Sequence, residues 1–195
     1  MNARRVAVLL AGLWVGGVWA GGGWADEATT RGDAAAGGRI AVQCRTCHGA
    51  NGVAQIPVAP NIGGESASYL ASQLAAFRSG ARENEMMSVV AKGLSDRQIA
   101  DVAAYYAGFT ATAEAPAAQP APPACVACHG ENGIAVIPDA PNLAGETAMY
   151  LDTQLKAFRS GKRTSAVMQP VAAELDDAAI RALAEYFSAA RLVVR

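Results

Sequence analysis

The sequence has no excess of basic residues and few histidines and cysteines. Its 195 residues include 16 lysines and arginines against 17 aspartates and glutamates, a formal net charge of -1. A nucleic-acid-binding protein needs a basic surface, so that class is excluded. Only two histidines and four cysteines are present. Chemistry that needs an imidazole or a thiol must therefore use those six residues.

All six lie in two short motifs of the form C-x-x-C-H, at residues 44–48 and 125–129. This spacing is the attachment signature of c-type haem. The two thiols form thioethers with the porphyrin vinyl groups, and the adjacent imidazole binds the iron. The sequence therefore predicts two covalently bound haem c groups. The residues predicted to bind them are Cys44, Cys47, His48, Cys125, Cys128 and His129.

Two other sites can be built from the same cysteines. In an oxidising compartment, four cysteines ordinarily suggest two disulfides, and two C-x-x-C pairs can bind zinc. Neither alternative requires a histidine directly after each pair, yet both motifs have one. Haem attachment is therefore the interpretation that the motifs favour.

The two halves of the chain repeat each other without gaps. Cys44 corresponds to Cys125, and the same offset holds along the rest of each half. An internal repeat this close indicates one structural unit used twice. The intervening TATAEAPAAQPAPPA is rich in proline and alanine, which predicts a semi-rigid linker. The expected division is a signal peptide at 1–25, a first domain at 26–109, the linker at 110–124 and a second domain at 125–195.

Residues 1–25 have the features of a secretory signal. Two arginines stand near the start, residues 6–18 are apolar, and small residues precede a cleavage before Asp26. The alternative is an uncleaved membrane anchor, but the apolar run is shorter than the about 20 residues that a span needs. Because c-type haem is attached outside the cytoplasm, we expect a mature protein in the periplasm.

The pattern of apolar residues predicts helices in both units. Residues 66–79 form one helix, which Gly80 ends, and Ser95 with Gln98 forms a capping box before another. The second unit has Asp176 at the same cap position. Three residues later it has Ala179, whose side chain cannot bond back to the cap. No stretch shows sustained strand alternation, so we expect an all-α fold.

Each iron also needs a ligand opposite its histidine. No histidine remains for this role, and a methionine thioether is the natural partner in a high-potential c-type centre. Met87 and Met168 occupy equivalent positions in the two units. Met86 competes with Met87, while Met149 is expected to pack on a helix. A methionine at any of these positions can also fill a gap in the core.

These stretches closely resemble the dihaem cytochromes c of the cytochrome c4 type, which are tandem class I cytochrome c domains. The resemblance rests on four pairs of segments. They are CRTCHGANG with CVACHGENG, APNIGGE with APNLAGE, YLASQLAAFRSGAR with YLDTQLKAFRSGKR, and MMSVVAKGLSDRQIADVAAYY with VMQPVAAELDDAAIRALAEYF. It implies an all-α domain wrapped around each haem.

The resemblance also implies a ligand set for each iron. His48 and Met87 would bind the first iron, and His129 and Met168 the second. The carbonyl groups of Pro60 and Pro141 would accept a hydrogen bond from the ligand histidines, which fixes the orientation of each ring.

One departure from the family concerns the helix before each motif. Residues 34–43 can form it in the first unit, whereas prolines between 116 and 123 prevent it in the second. We therefore expect the second haem to be covered less well and to have the lower reduction potential.

Two His/Met-ligated irons leave no open coordination position, so we expect an electron carrier and not an enzyme. We expect redox proteins to dock transiently, through a small interface near an exposed haem edge. The resemblance implies the partners. The donor would be a membrane-bound quinol-oxidising complex or a periplasmic dehydrogenase, and the acceptor a terminal oxidase. The alternative is a dihaem electron-transfer subunit of a periplasmic flavin or molybdenum dehydrogenase. A haem enzyme such as a peroxidase is disfavoured because it needs an open or labile position.

Overall fold

The computed structural model describes residues 31–116 and 122–195. The expected signal peptide lies outside the described residues. Helices dominate: α1 (Ala34–Ile40), a 3-10 turn (Ala41–Gln43), α2 (Arg45–His48), α3 (Ala67–Ser79), α4 (Met87–Lys92), α5 (Asp96–Ala107), α6 (Pro123–His129), α7 (Ala148–Arg159), α8 (Met168–Ala173) and α9 (Asp177–Ser188). In the described part of the chain, no helix has both the length and the apolar character needed to cross a membrane.

The helices of the first unit end and begin where the sequence predicted. Ser66 caps α3 by accepting a hydrogen bond from the Tyr69 amide, and Gly80 ends the helix in the left-handed region. The capping box of Ser95 and Gln98 is present at the start of α5. Both predictions are confirmed, which fixes the lengths of the two long helices that hold the core.

The first unit has a core in which α1, α3 and α5 pack together. Its buried side chains are Ala41, Leu70, Val102, Ala103 and Tyr106. Helix α1 approaches α5 so closely that a Cβ on Gly37 would lie 1.9 Å from the Asp101 carbonyl oxygen. This contact explains a glycine that would otherwise only weaken the helix.

The second unit repeats this arrangement with one element fewer. Helices α7 and α9 pack around Leu151, Ala184 and Phe187. Asp176 caps α9 through the Ala179 amide alone, as predicted. Among the described residues, the second unit has no counterpart of α1, since α6 begins directly at Pro123.

Two short strands were not predicted. Strand β1 (Ala111–Glu114) pairs antiparallel with β2 (Arg191–Val194), with Ala111 opposite Val194 and Glu114 opposite Arg191. Strand β1 is the first part of the expected linker, and β2 ends the second unit. The linker therefore starts as an ordered strand along the C-terminal segment, and four residues per strand were too few to show an alternation.

Candidate functional site

Each C-x-x-C-H motif lies on a short helix that places its two cysteines one turn apart. Cys44 is the N-cap of α2 and Cys47 lies in that helix, while Cys125 and Cys128 both lie in α6. Residues three apart on a helix share a face, so both sulfur atoms of a motif project to the same side. All four thiols are free and half-buried. Each motif can therefore present two sulfur atoms to one flat cofactor.

The two histidines are held in the orientation that metal binding requires. His48 is 7% exposed and its Nδ1 lies 2.9 Å from the Pro60 carbonyl oxygen. His129 is 6% exposed and its Nδ1 lies 2.8 Å from the Pro141 carbonyl oxygen. A carbonyl oxygen only accepts, so Nδ1 carries the proton and donates it. The lone pair of a neutral ring is then on Nε2, where it can bind iron.

Burial also keeps these rings in the form that binds a metal. Desolvation lowers the pKa of both His48 and His129, although the hydrogen bonds to the proline carbonyls partly oppose this. A metal binds only the neutral ring. The donor set of each motif, two sulfur atoms and one oriented neutral imidazole, fits a covalently held haem. Among the described residues, no three cysteine, histidine or acidic side chains converge as a metal cluster would need.

The predicted methionine ligands occupy matching positions in the two units. Met87 is the first residue of α4 and Met168 the first residue of α8, and both are half-buried. Met86, the competitor of Met87, points more into solvent at 62% exposed. Met149 lies in α7 and is 56% exposed, so the expectation that it packs on a helix is wrong. The positions of Met87 and Met168 agree with the expectation, and the ligand assignment itself stays a prediction.

An interface between the two units was missed by the reasoning from sequence. Arg82 is 9% exposed, and its guanidinium lies 4.4 Å from the centre of the Phe77 ring. It donates to Oε1 of Gln73 at 2.7 Å within its own unit. Across the interface it donates to Oε1 of Gln154 at 2.8 Å and to the Tyr150 hydroxyl at 3.3 Å. One buried cation thus joins the two units.

Arg163 makes the same contacts from the opposite side. Its guanidinium lies 4.5 Å from the centre of the Phe158 ring and donates to Oε1 of Gln154 at 2.8 Å. Across the interface it donates to Oε1 of Gln73 at 2.9 Å and to the Tyr69 hydroxyl at 3.1 Å. Each glutamine oxygen therefore accepts from both arginines. In the sequence, the only sign of this cluster is that its residues recur in both units. Residues that pack inside each unit would recur in the same way, so the repeat alone does not reveal an interface.

Two buried carboxylates form a second set of contacts across the interface. Glu146 is 3% exposed, and its Oε1 accepts a hydrogen bond of 2.9 Å from the Asn61 backbone amide. Glu65 is 5% exposed, and its two oxygens accept from the Asn142 backbone amide at 2.9 and 3.1 Å. The asparagine side chains also cross, since Nδ2 of Asn61 donates to the Gly145 carbonyl at 3.0 Å.

Burial makes these carboxyl groups unusually weak acids. Desolvation raises the pKa of Glu65 to about 8, opposed in part by the Asn142 amide. The pKa of Glu146 is raised well above its ordinary value by desolvation and by the charge of Glu65. Ionisation of one therefore disfavours ionisation of the other.

Comparison with known proteins agrees with this geometry. A family profile described as cytochrome c oxidase, cbb3-type, subunit III matches residues 32–105 and again 113–187. The chain is 34% identical over 179 residues to a cytochrome c4 of Pseudomonas aeruginosa, covering 82% of this chain and 89% of that protein. It is 36% identical over 170 residues to a thiosulfate dehydrogenase electron acceptor of Stutzerimonas stutzeri, covering 76% and 79%.

A solved structure has the same fold over most of the chain. It is the crystal structure of reduced recombinant cytochrome c4 from Pseudomonas stutzeri, with a TM-score of 0.70 and 29% identity. The match covers 82% of this chain and 100% of that one.

Proposed function

Because this chain belongs to the dihaem c-type cytochromes of the cytochrome c4 type, we propose that it carries single electrons in the periplasm. The donor is a respiratory complex or a dehydrogenase, and the acceptor is a terminal protein such as an oxidase. The chain holds two covalently bound haem c groups, one in each repeated unit. Bound haem iron supplies reversible one-electron chemistry, and the protein supplies ligands, burial and orientation.

The observation that carries the proposal is the donor set around each motif. His48 and His129 each present Nε2, because Nδ1 donates to a proline carbonyl. Met87 and Met168 lie at equivalent helix starts and are proposed as the opposite ligands. A six-coordinate iron has no position for a substrate. An outer-sphere electron exchange is then the chemistry that remains.

The surface beside each motif suits brief contact with another redox protein. In the first unit, the loop that follows His48 exposes Ile56 and Val58, at 39% and 62%. In the second unit, the loop that follows His129 exposes Val136 and Ile137, at 64% and 42%. Small exposed apolar patches allow transient docking without a permanent complex.

A second candidate is the dedicated electron acceptor of one dehydrogenase, with this chain as its dihaem subunit. The similarity to a thiosulfate dehydrogenase electron acceptor favours it. The same two haems would then receive electrons from a fixed partner. The two functions differ in assembly and not in the chemistry of the haem sites.

Native mass and cofactor content of the protein purified from its own periplasm distinguish the two. A free carrier gives a particle with the mass of one chain and two haems. A second polypeptide that brings a flavin or molybdenum cofactor would overturn the carrier proposal and identify the dehydrogenase. A matched purification after a high-salt wash serves as the control, because it separates weakly associated partners from true subunits.

A further inference from the structure

One peptide group in each unit connects a proximal histidine to a carboxylate of the other unit. The carbonyl oxygen of Pro60 accepts from His48 Nδ1, and the amide of the same peptide, on Asn61, donates to Glu146. The peptide is trans, so its carbonyl and its N–H point in opposite directions. His48 and Glu146 therefore sit on the two sides of one peptide group.

The second unit has the same arrangement with the roles exchanged. The carbonyl oxygen of Pro141 accepts from His129 Nδ1, and the Asn142 amide of that peptide donates to both oxygens of Glu65. The connection is thus reciprocal. Each unit supplies a carboxyl group to the other unit. That carboxyl group accepts from the peptide group whose carbonyl holds the other unit's histidine.

We propose that Glu146 and Glu65 are positioning residues that each tune the reduction potential of the haem in the opposite unit. This inference rests on the proposed role of His48 and His129 as iron ligands. It does not depend on which proteins donate or accept the electrons.

The effect arises from the polarisation of one amide. A carboxylate accepts a stronger hydrogen bond than a neutral group does. When Glu146 is ionised, the Asn61 N–H is polarised more strongly, and the Pro60 oxygen gains negative character because the peptide is conjugated. That oxygen then draws the Nδ1 proton of His48 more firmly. A histidine whose Nδ1–H has a stronger hydrogen-bond acceptor is a more basic ligand. A more basic ligand favours the ferric iron.

Both carboxyl groups are buried well enough for the effect to be strong. Water competes little at side chains that are 3% and 5% exposed, so the hydrogen bonds act in a low dielectric. The buried Oε2 of Glu146 has no hydrogen-bond partner among the described residues. Among the described residues, Glu65 and Glu146 face each other. Glu65 also faces Tyr69 of α3, which in turn faces Arg163, Tyr150 and Arg82.

The substitution Glu146→Gln tests the inference in the haem-loaded full chain. Glutamine keeps the shape and an acceptor for the Asn61 amide but never carries a charge. Where the wild-type carboxyl is ionised, the ferric-to-ferrous ratio of the first haem at a fixed potential should fall by roughly threefold, and that of the second should change much less. Glu65→Gln should do the reverse. Glu174→Gln removes an exposed carboxylate and is the matched control.

A second readout separates this mechanism from a general loosening of the interface. In the reduced, diamagnetic protein, proton NMR observes the Nδ1–H of each ligand histidine. Glu146→Gln should move the His48 resonance toward a weaker hydrogen bond and leave His129 in place. In the wild type, the His48 resonance should also shift as pH rises through the titration of Glu146. Because this pH titration uses the wild-type protein, it tests the inference even if the variant fails to fold.

Two outcomes overturn the inference. One is a Glu146→Gln variant that moves the second haem as much as the first. The other is a His48 resonance that ignores both the substitution and the pH. The wild-type NMR spectrum first shows whether both histidine rings have the strong ring-current shifts of haem ligands. Their absence would refute the ligand assignment instead, so the two failures are distinguishable.

Discussion

The arginine cluster between the two units allows a prediction that needs no knowledge of redox partners. Arg82→Met removes three hydrogen bonds, to Gln73, Gln154 and Tyr150, and the contact with the Phe77 ring. The two glutamine oxygens are not orphaned, because Arg163 still donates to both. Only the bonds to Gln154 and Tyr150 cross the interface. At about 1 kcal/mol for each, we expect a loss of roughly 2 kcal/mol in the free energy of opening the interface.

The double substitution should cost more than the sum of the two single ones. When Arg163→Met is added, no guanidinium remains to satisfy the oxygens of Gln73 and Gln154. Buried acceptors without a partner each cost about 1–3 kcal/mol. Residues that share partners are expected to deviate from additivity in this way.

Hydrogen exchange of the Asn61 and Asn142 amides is the assay, since both amides donate only across the interface. A loss of roughly 2 kcal/mol makes their exchange about 30-fold faster. Arg78→Met is the control, because Arg78 binds Asp96 within the first unit. The reasoning is refuted if the single variant changes exchange no more than the control does, or if the two losses simply add.

Four further predictions concern other parts of the structure. Met87→Ala should convert one haem to a high-spin form and halve the methionine-to-iron charge-transfer absorbance, whereas Met86→Ala should leave both unchanged; equal effects of the two would contradict the ligand assignment. Ser95→Ala should lower the free energy of unfolding by about 1 kcal/mol in denaturant titrations, because it removes the capping box of α5. For Glu65, burial raises the pKa in the folded state to about 8, so its contribution to closing the interface is complete below the unfolded pKa of about 4.3 and is lost as pH rises through about 8. Amide exchange should therefore speed up with pH beyond its intrinsic dependence, and Glu65→Gln should reduce the excess. Finally, redox titration of residues 26–110 and 111–195 as separate pieces should give the second haem the lower potential; a higher value would contradict the idea that a missing helix exposes it.

The repeated units and their helices could be predicted because the signals are local. Two C-x-x-C-H motifs, a capping box and a glycine helix end each depend on a few adjacent residues, and the all-α tandem class I cytochrome c fold is confirmed. The hydrogen bonds from His48 to Pro60 and from His129 to Pro141 were expected from the family pattern, and both are present.

The contacts between the units could not be predicted, because they depend on how two copies of one domain pack. Arg82 and Glu65 look like ordinary surface residues in sequence, yet both are buried against the other unit. The pairing of β1 with β2 joins segments almost eighty residues apart, and neither strand is long enough to show its pattern.

The most direct test of the account is a spectroelectrochemical titration of the haem-loaded protein. It counts the electrons that the protein accepts and reports the coordination of each iron. We expect two one-electron transitions of equal amplitude, both from low-spin haems that show the methionine-to-iron charge-transfer band. A single haem, or a haem that is high-spin in the resting protein, would contradict the description of this chain as a dihaem electron carrier.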